Sequence, residues 1–436
     1  MAITLQITDG TDTVDFNDGS NLHLGAAFQM NVGEGAVTEQ IIAGWANSLD
    51  ADAKAVISKK FNRLIRKAIL HYREQRIDRA VWLVWKPDDQ TDTQYAKVMG
   101  GGEVEVVKHT IGGWGGGYFN PTIIREGAWR SVAPDGTAGA ALSTQTANNR
   151  VTASPARENW ADIPNSRTND APALLSINLT PGGTGYTNVL IGMKRGTESD
   201  LDNFNPHFNP DDQTSAIAET TPSTNAPNDV EINISASSSV TWDIADTDLP
   251  YYVGSYNVYA VTYQDSGAGS YRARFIVGSQ TGQWKDVGTT AATNLLYLGS
   301  FNIPGVPVNP FLDFNTSSDL EIELEYEETG TATCVLYGLF LVPTDIPPFE
   351  LEFASGTNAN DEILIDGVNE LTLHLDINGD VYTTEVTNKG RFPVSYGGTT
   401  NRLFFYSSGT SGYIHTMSLG VDITVVDRFL GLRGNT

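Results

Sequence analysis

Most of this chain alternates apolar and polar residues one for one, the period of a strand with a single buried face. The alternation predicts strands at Ala2–Ile7, Thr11–Phe16 and Asn21–Val32, and again at Ala80–Trp85, Gln94–Val98, Glu103–His109 and Thr122–Ile124. Between these groups the period changes. Ile57, Phe61, Leu64, Ile65, Ala68, Ile69 and Tyr72 recur at the three- and four-residue spacing of an amphipathic helix. Asp50 and Asp52 precede it, where negative charge suits the helix dipole. A shorter helix is expected from Glu39 to Asn47. Residues 1–132 thus read as a sheet with one long helix against it, an α+β unit.

The pattern then fails. From Ser131 to Ala171 the chain is rich in Gly, Pro, Ser, Thr and Asn without periodicity, so 133–171 reads as an exposed linker or arm. Alternation resumes in 172–346, with strands expected at Ala173–Leu179, Asn188–Lys194, Asp229–Ser235, Tyr256–Tyr263, Tyr271–Val277, Asn294–Phe301, Leu320–Tyr326 and Thr333–Pro343. Gly267-Ala268-Gly269 between two such runs predicts a hairpin. About eight strands with one apolar face each suggest a β-sandwich of jelly-roll type. A polar excursion from Arg195 to Asn228 interrupts it. Pro343, Pro347 and Pro348 mark a boundary, and 347–436 is a further small β unit. The fold class is mainly β, with an N-terminal α+β domain, a central jelly roll and a C-terminal β unit.

Charge changes the picture more than composition does. The chain of 436 residues carries a formal net charge of −25, which argues against nucleic acid and anionic membranes as partners. Yet nine of its 27 basic residues lie between Lys54 and Arg79, on the long helix. The helix has a packed apolar face and no interleaved stacking aromatics, so this stripe fits an acidic protein surface better than a nucleic acid. A merely solvated face is the plain alternative. The opening MAITLQITDG has no basic n-region and no apolar core, so no secretory signal is expected, and no apolar run is long enough to span a bilayer.

Candidate chemistry is sparse. The six histidines, His23, His71, His109, His207, His374 and His415, show no metal-ligand spacing. His71 reads as a solvated helix residue and His207 as a loop histidine. MGGGEVEVV (99–107) and IGGWGGGYF (111–119) lack the lysine and helix start of a phosphate loop, so turns or close backbone approach explain them. DINGD (376–380) has the wrong spacing for a calcium loop and reads as a turn at Asn378-Gly379. Cys334, alone in an apolar run, reads as a buried thiol. No cofactor, metal or catalytic residue is expected, and the chain does not read as an enzyme.

Several segments, taken in order, resemble the distal tail and minor tail proteins of long-tailed bacteriophages. LQITDGTDTVDF (5–16) is similar to their opening hairpin, and AVWLVWKPDDQTDTQYAKVMGGGEVEV (80–106) to a strand pair leading into a Gly-rich turn. TIIREGAWR (122–130) is similar to the strand that closes on Arg-acidic-x-x-Trp-Arg. VLIGMKRG (189–196), FNP (204–206) and SYNVYAVTYQ (255–264) resemble an inserted carbohydrate-binding-like jelly roll. DGVNEL (366–371), GRFPVSYGGTTNRLFFYS (390–407) and VDITVVDRFLGLRG (421–434) resemble the closing segment. The basic helix and the large central domain depart from a plain member.

The resemblance implies a structural virion protein at the tail tip, assembled in the host cytoplasm. It would form a homo-oligomeric ring, a hexamer ahead of a trimer, between the tail tube protein and the tail hub, beside other tail-tip proteins. The jelly roll would project, where it could meet a host surface glycan. Lys59, Lys60, Arg63, Arg66, Lys67, Arg73, Arg125, Glu126 and Arg130 are the candidate inter-subunit contacts, and Trp129 is the candidate packing anchor. Tyr251, Tyr252 and Trp284 are the candidate glycan-contact aromatics, with Tyr256 and Tyr263 beside them. Stable nucleic-acid binding and membrane insertion are not expected. A glycan-binding adhesin and a capsid decoration or turret protein are the alternatives. A polysaccharide-degrading enzyme is disfavoured by the lack of any local motif.

Overall fold

The computed structural model describes residues 3–25, 35–74, 80–86, 93–104, 117–130, 144–146, 148–149, 159–163, 171–182, 185–215, 217, 219–220, 231–234, 237–245, 247–264, 270–278, 280–287, 293–303, 320–328, 334–354, 356–367, 370–381, 386–409 and 419–429. The fold is mainly β with one long helix. Two compact units divide it: residues 1–143, 168–174 and 425–436 form the first, and residues 144–167 and 175–424 form the second.

In the first unit, β1 (Thr4–Thr8), β2 (Thr13–Asp15), β3 (Leu22–Leu24), β4 (Ala36–Gln40) and β5 (Ala43–Trp45) precede α1 (Ala51–Glu74). They are followed by β6 (Trp82–Lys86), β7 (Gln94–Gly102), β8 (Tyr118–Phe119), β9 (Thr122–Glu126) and β10 (Trp129–Arg130). The main sheet runs β2-β1-β6-β7-β10, and the end of strand Leu419–Phe429 adds to β10, Trp129 facing Phe429 and Arg130 facing Arg428. β9 pairs with β7 on one side and β4 on the other.

Asp50 starts α1, its Oδ1 accepting the Ala53 N–H at 2.7 Å. The inward residues Phe61, Leu64, Ile65 and Ala68 are fully buried in the core of this unit. Each large one contributes about 1.5–3 kcal/mol by leaving water. Gly100 and Gly101 of β7 let the helix come this close. A Cβ on Gly101 would stand 3.0 Å from Ile65 Cδ1 and 2.3 Å from the Thr122 carbonyl oxygen. The glycine run after Met99 is therefore a strand beneath a helix. The second run, 111–119, lies mostly outside the described residues.

Two expectations fail here. The short helix expected from Glu39 to Asn47 is instead the end of β4 and all of β5. Val37, Glu39, Ile41 and Ala43 all turn inward, a period of two that the helix-favouring glutamate disguised. His71 is not solvated: it lies on the packed side of α1 and is 3% exposed.

The second unit contains a jelly roll. One sheet orders the strands Glu231–Ile234, Cys334–Pro343, Gly254–Gln264 and Thr293–Ile303; the facing sheet orders Ser238–Ile244, Leu320–Glu328, Tyr271–Val277 and Gln280–Thr281. Apart from Tyr271–Val277 and Gln280–Thr281, which stay together, successive strands of the two sheets alternate between them, and both sheets share one core that includes Trp242, Tyr256, Tyr271, Phe275, Tyr326 and Cys334. Burial raises the Cys334 thiol pKa well above its usual range. The hairpin expected at Gly267-Ala268-Gly269 does not exist as a pairing, because Gly254–Gln264 and Tyr271–Val277 lie in opposite sheets. The three glycine-turn residues themselves fall outside the described set.

The strands expected at Ala173–Leu179 and Asn188–Lys194 form, but outside the jelly roll. The second belongs to a six-stranded sheet ordered Asn148–Asn149, Asn159–Ile163, Thr400–Gly409, Tyr186–Gly196, Phe349–Phe353 and Val386–Lys389. Part of the expected linker is thus a strand, with Trp160, Ala161 and Ile163 buried. The first part of the polar excursion after Arg195 takes regular form: Thr197 caps a short helix, Glu198–Asn203, and Phe204 and Phe208 enter the jelly-roll core. At DINGD the turn forms, with Gly379 at φ +83° and Asp376 accepting from the Asn378 and Asp380 amides.

Candidate functional site

The cations of α1 are ordered by the helix period. Residues 56, 59, 63, 66 and 70 form its exposed stripe, so Lys59, Arg63 and Arg66 are flanked by the exposed aliphatics Val56 and Leu70. Lys59, Asn62, Arg63 and Arg66 also line a shallow groove. Arg63 pairs with Asp12 at 2.5 Å, and Arg66 holds Glu103 through two hydrogen bonds. Lys67 pairs with Asp9. Lys60 is half-buried at the margin. Arg73 lies in α1, but its side chain is outside the described residues, as are Arg76 and Arg79.

The segment Arg125 to Arg130 is built quite differently. Arg125 is fully buried, paired with the equally buried Glu39, and its Nη1 donates to the Glu126 and Gly127 carbonyls at 2.7 and 2.9 Å. Its guanidinium lies over the Trp129 ring, 4.6 Å from the centroid, and Trp129 is also fully buried. Burial lowers the arginine pKa, opposed by Glu39. Glu126 accepts the Lys97 amide at 2.7 Å and pairs with Arg130, which covers the Trp82 ring. Arg125 and Arg130 therefore present no charge outward. As contacts to another subunit they are removed by burial: the cations serve this chain's own core. The pairing of β4 with β9 puts Val37 opposite Arg125 and Glu39, two residues along on the same inward face, opposite Ile123, which no local reading of 122–132 could reveal.

The candidate aromatics separate. Tyr252 is buried with Phe204 and Phe208 at ring distances of 5.2 and 6.2 Å, and its carbonyl accepts from the Tyr256 hydroxyl. Packing into the core takes Tyr252 and Tyr256 off any glycan-binding surface. Tyr251 packs partly buried on the same core. Trp284 is half-buried under two guanidinium groups, Arg274 at 4.4 Å and Arg272 at 5.0 Å, which are paired with Glu325 and Glu327. The Tyr263 side chain is outside the described residues. His207 is not a loop histidine; it sits in a short strand, buried and stacked on Phe340 at 4.4 Å.

Two buried cations in the second unit carry no local sequence signal. Arg402 is 2% exposed, holds Asp162 through two bonds of 2.7 Å, bonds Asp202 at 2.7 Å and the Leu201 carbonyl at 2.6 Å, and lies on the Trp160 ring. Lys194 donates to the Val253 carbonyl at 2.6 Å and to the Tyr256 hydroxyl at 2.7 Å beneath the Phe204 ring. Burial lowers its pKa to about 8, against the pull of Asp345 and Asp200. Lys194 ties the six-stranded sheet to the jelly roll, and Arg402 ties two strands of that sheet to the short helix Glu198–Asn203. Among the described residues, no group of three or more His, Cys, Asp or Glu side chains could hold a metal ion.

No family model matches the chain, and neither does any curated protein. Among solved structures, a chain of the phage p2 baseplate in its activated conformation with Sr is 10% identical, with 77% of this chain and 98% of that chain covered, at a TM-score of 0.19. The same baseplate with Ca gives 10% identity over the same shares and a TM-score of 0.18. The infectious bursal disease virus VP2 subviral particle gives 10% identity, 66% and 80% coverage, and a TM-score of 0.15. Superpositions this loose establish no shared fold.

Proposed function

We propose that this protein is a structural component of a phage tail tip, a ring-forming platform that carries a jelly roll. One observation carries the reading: the end of strand Leu419–Phe429 pairs with β10, so the chain returns to complete its first unit after residues 175–424, the bulk of the second unit, have been inserted. That strand lies in the stretch 421–434, whose residues resemble the closing segment of distal tail proteins. The jelly roll is itself inserted, between Tyr186–Gly196 and Phe349–Phe353, two strands that pair directly with each other. This topology suits a platform carrying an appendage, because an insertion can grow without disturbing the sheet that hosts it.

The outward stripe of α1 supports assembly. Lys59, Arg63 and Arg66 put cations on this stripe in a chain of net charge −25, so an acidic surface of a second copy would complement it. Aliphatic Val56 and Leu70 at its ends add apolar contact. Closed cyclic symmetry would repeat the contact around a ring. Negative-stain microscopy of the purified protein tests this: closed rings are expected. Lys59→Glu with Arg63→Glu should reduce their fraction while the melting temperature of the subunit holds. A protein that stays monomeric at every concentration, or rings indifferent to the reversal, would count against the reading.

A further inference from the structure

Both sheets of the jelly roll end on the same side of the sandwich, and there a side chain takes the place of an added strand. Strand Thr293–Ile303 closes one sheet: it pairs with Gly254–Gln264 and, among the described residues, with no strand beyond. Its 11 residues include no charge and no proline, devices that commonly guard an open edge. Gln280, in the strand that closes the facing sheet, reaches across to it. The Gln280 side-chain amide donates to the Asn302 carbonyl at 2.7 Å and accepts the Asn302 N–H at 3.1 Å. Those are the two bonds that a residue of an antiparallel strand exchanges with the residue opposite.

Asn302 faces Ser255 in the ladder, and Ser300 faces Asn257. Groups on the open side of an antiparallel strand recur every second residue, so the Ser300 N–H and C=O point the same way as those of Asn302. Ser300 and Gln280 line a groove of about 440 Å³, and Lys285 is the one charged residue among the described residues around it. The backbone itself walls this groove at Gly282 and Gly299, where a Cβ would stand 2.6 and 3.0 Å from the Phe275 ring. Gly299, at φ +134°, also belongs to a β-bulge: it faces Val258 while Tyr297 faces Tyr259, which leaves Leu298 as the extra residue.

We propose that this edge takes a short extended peptide from a partner protein. The peptide displaces the Gln280 amide, pairs with Ser300 and Asn302 as an added antiparallel strand, and sets a carboxylate beside Lys285. Main-chain bonds supply the affinity in this mode, and the side chains alongside supply selection. A second copy of the chain suits the edge less well. The bulge bends the strand at Leu298, so the straight open run from Gly299 to Ile303 is about 17 Å long and about 5 Å wide. That is far less than the roughly 800 Å² that each partner of a stable complex contributes. The net charge of −25 on each copy adds repulsion. The edge is available to a peptide whether or not the protein belongs to a phage tail.

An array of randomised hexapeptides probed with the full chain, followed by fluorescence anisotropy of the strongest binder, tests it. Binders should be rich in aspartate and glutamate and poor in proline. N-methylation of alternate residues in the strongest binder should abolish binding in one register and spare it in the other, because only every second N–H faces the edge. Gln280→Ala should tighten binding about fivefold, since the peptide no longer has an amide to displace. Lys285→Glu should weaken it about tenfold, with circular dichroism verifying the fold of both variants. An array silent with both the parent chain and the Gln280→Ala variant would overturn the proposal and leave Gln280 as a seal on the edge. So would binding that both N-methylated registers retain, that Gln280→Ala weakens, or that Lys285→Glu leaves unchanged.

Discussion

Arg402 fastens three pieces of chain through one guanidinium: Asp162 in one strand, Leu201 and Asp202 in a short helix, and its own strand. Replacing it by methionine keeps the stem but leaves Asp162 and a buried carbonyl without their partner. Arg402→Met should cost about 3 kcal/mol, read as a lower urea midpoint. Lys194 makes a prediction of opposite character. Its pKa is about 8 in the fold against 10.5 for the free side chain, chiefly because burial disfavours the charge. Below pH 8 both folded and unfolded chains carry the proton, and the buried ammonium weakens the fold. Above pH 8 the folded chain releases it first. Stability relative to a non-titrating Lys194→Met variant should therefore rise between about pH 8 and 10.5, by about 3 kcal/mol in total. Parallel curves for the two proteins across that window would refute it.

At the scale of elements, the bulge in Thr293–Ile303 is the most consequential irregularity, because one extra residue decides which side chains share a face. Gly299→Ala should cost about 1–3 kcal/mol, since alanine at φ +134° is strained and its methyl group meets Phe275. The check is a denaturant midpoint, compared with Gly398→Ala as a control: Gly398 shares the positive φ but has open space around it. The larger fall belongs at Gly299. Elements with a clean period were legible in advance. The apolar stripe of α1 and the alternation of Leu320–Glu328 both took their expected form. Glu39 to Asn47 was not legible, because an inward glutamate in a strand becomes intelligible only when Arg125 arrives from β9 to neutralise it. The same holds for Ser238–Ile244, whose serines hid a strand that buries Val240, Trp242 and Ile244.

For the whole molecule, the proposed assembly through α1 would carry its own signature. Lys59 and its neighbours are exposed, so their attraction to an acidic copy should be screened once the Debye length falls below the spacing of the charges. The ring fraction should accordingly fall as salt rises toward about 1 M, where that length is roughly 3 Å.

The sequence by itself determined the mainly β character, the one long helix with its basic outer stripe, and the strands whose alternation survives. These are local properties, written in the period of adjacent residues. Only the tertiary structure decided which strands are partners, because pairing depends on groups far apart in the chain. It sent two successive strands to opposite sheets across Gly267-Ala268-Gly269, and brought Phe429 back beside Trp129. It also settled the stretch from Thr122 to Arg130: what looks locally like an outward pair of arginines around a tryptophan is a buried ion pair stacked on a core ring. A buried charge needs its counter-charge at the same place, and that place is set by the fold.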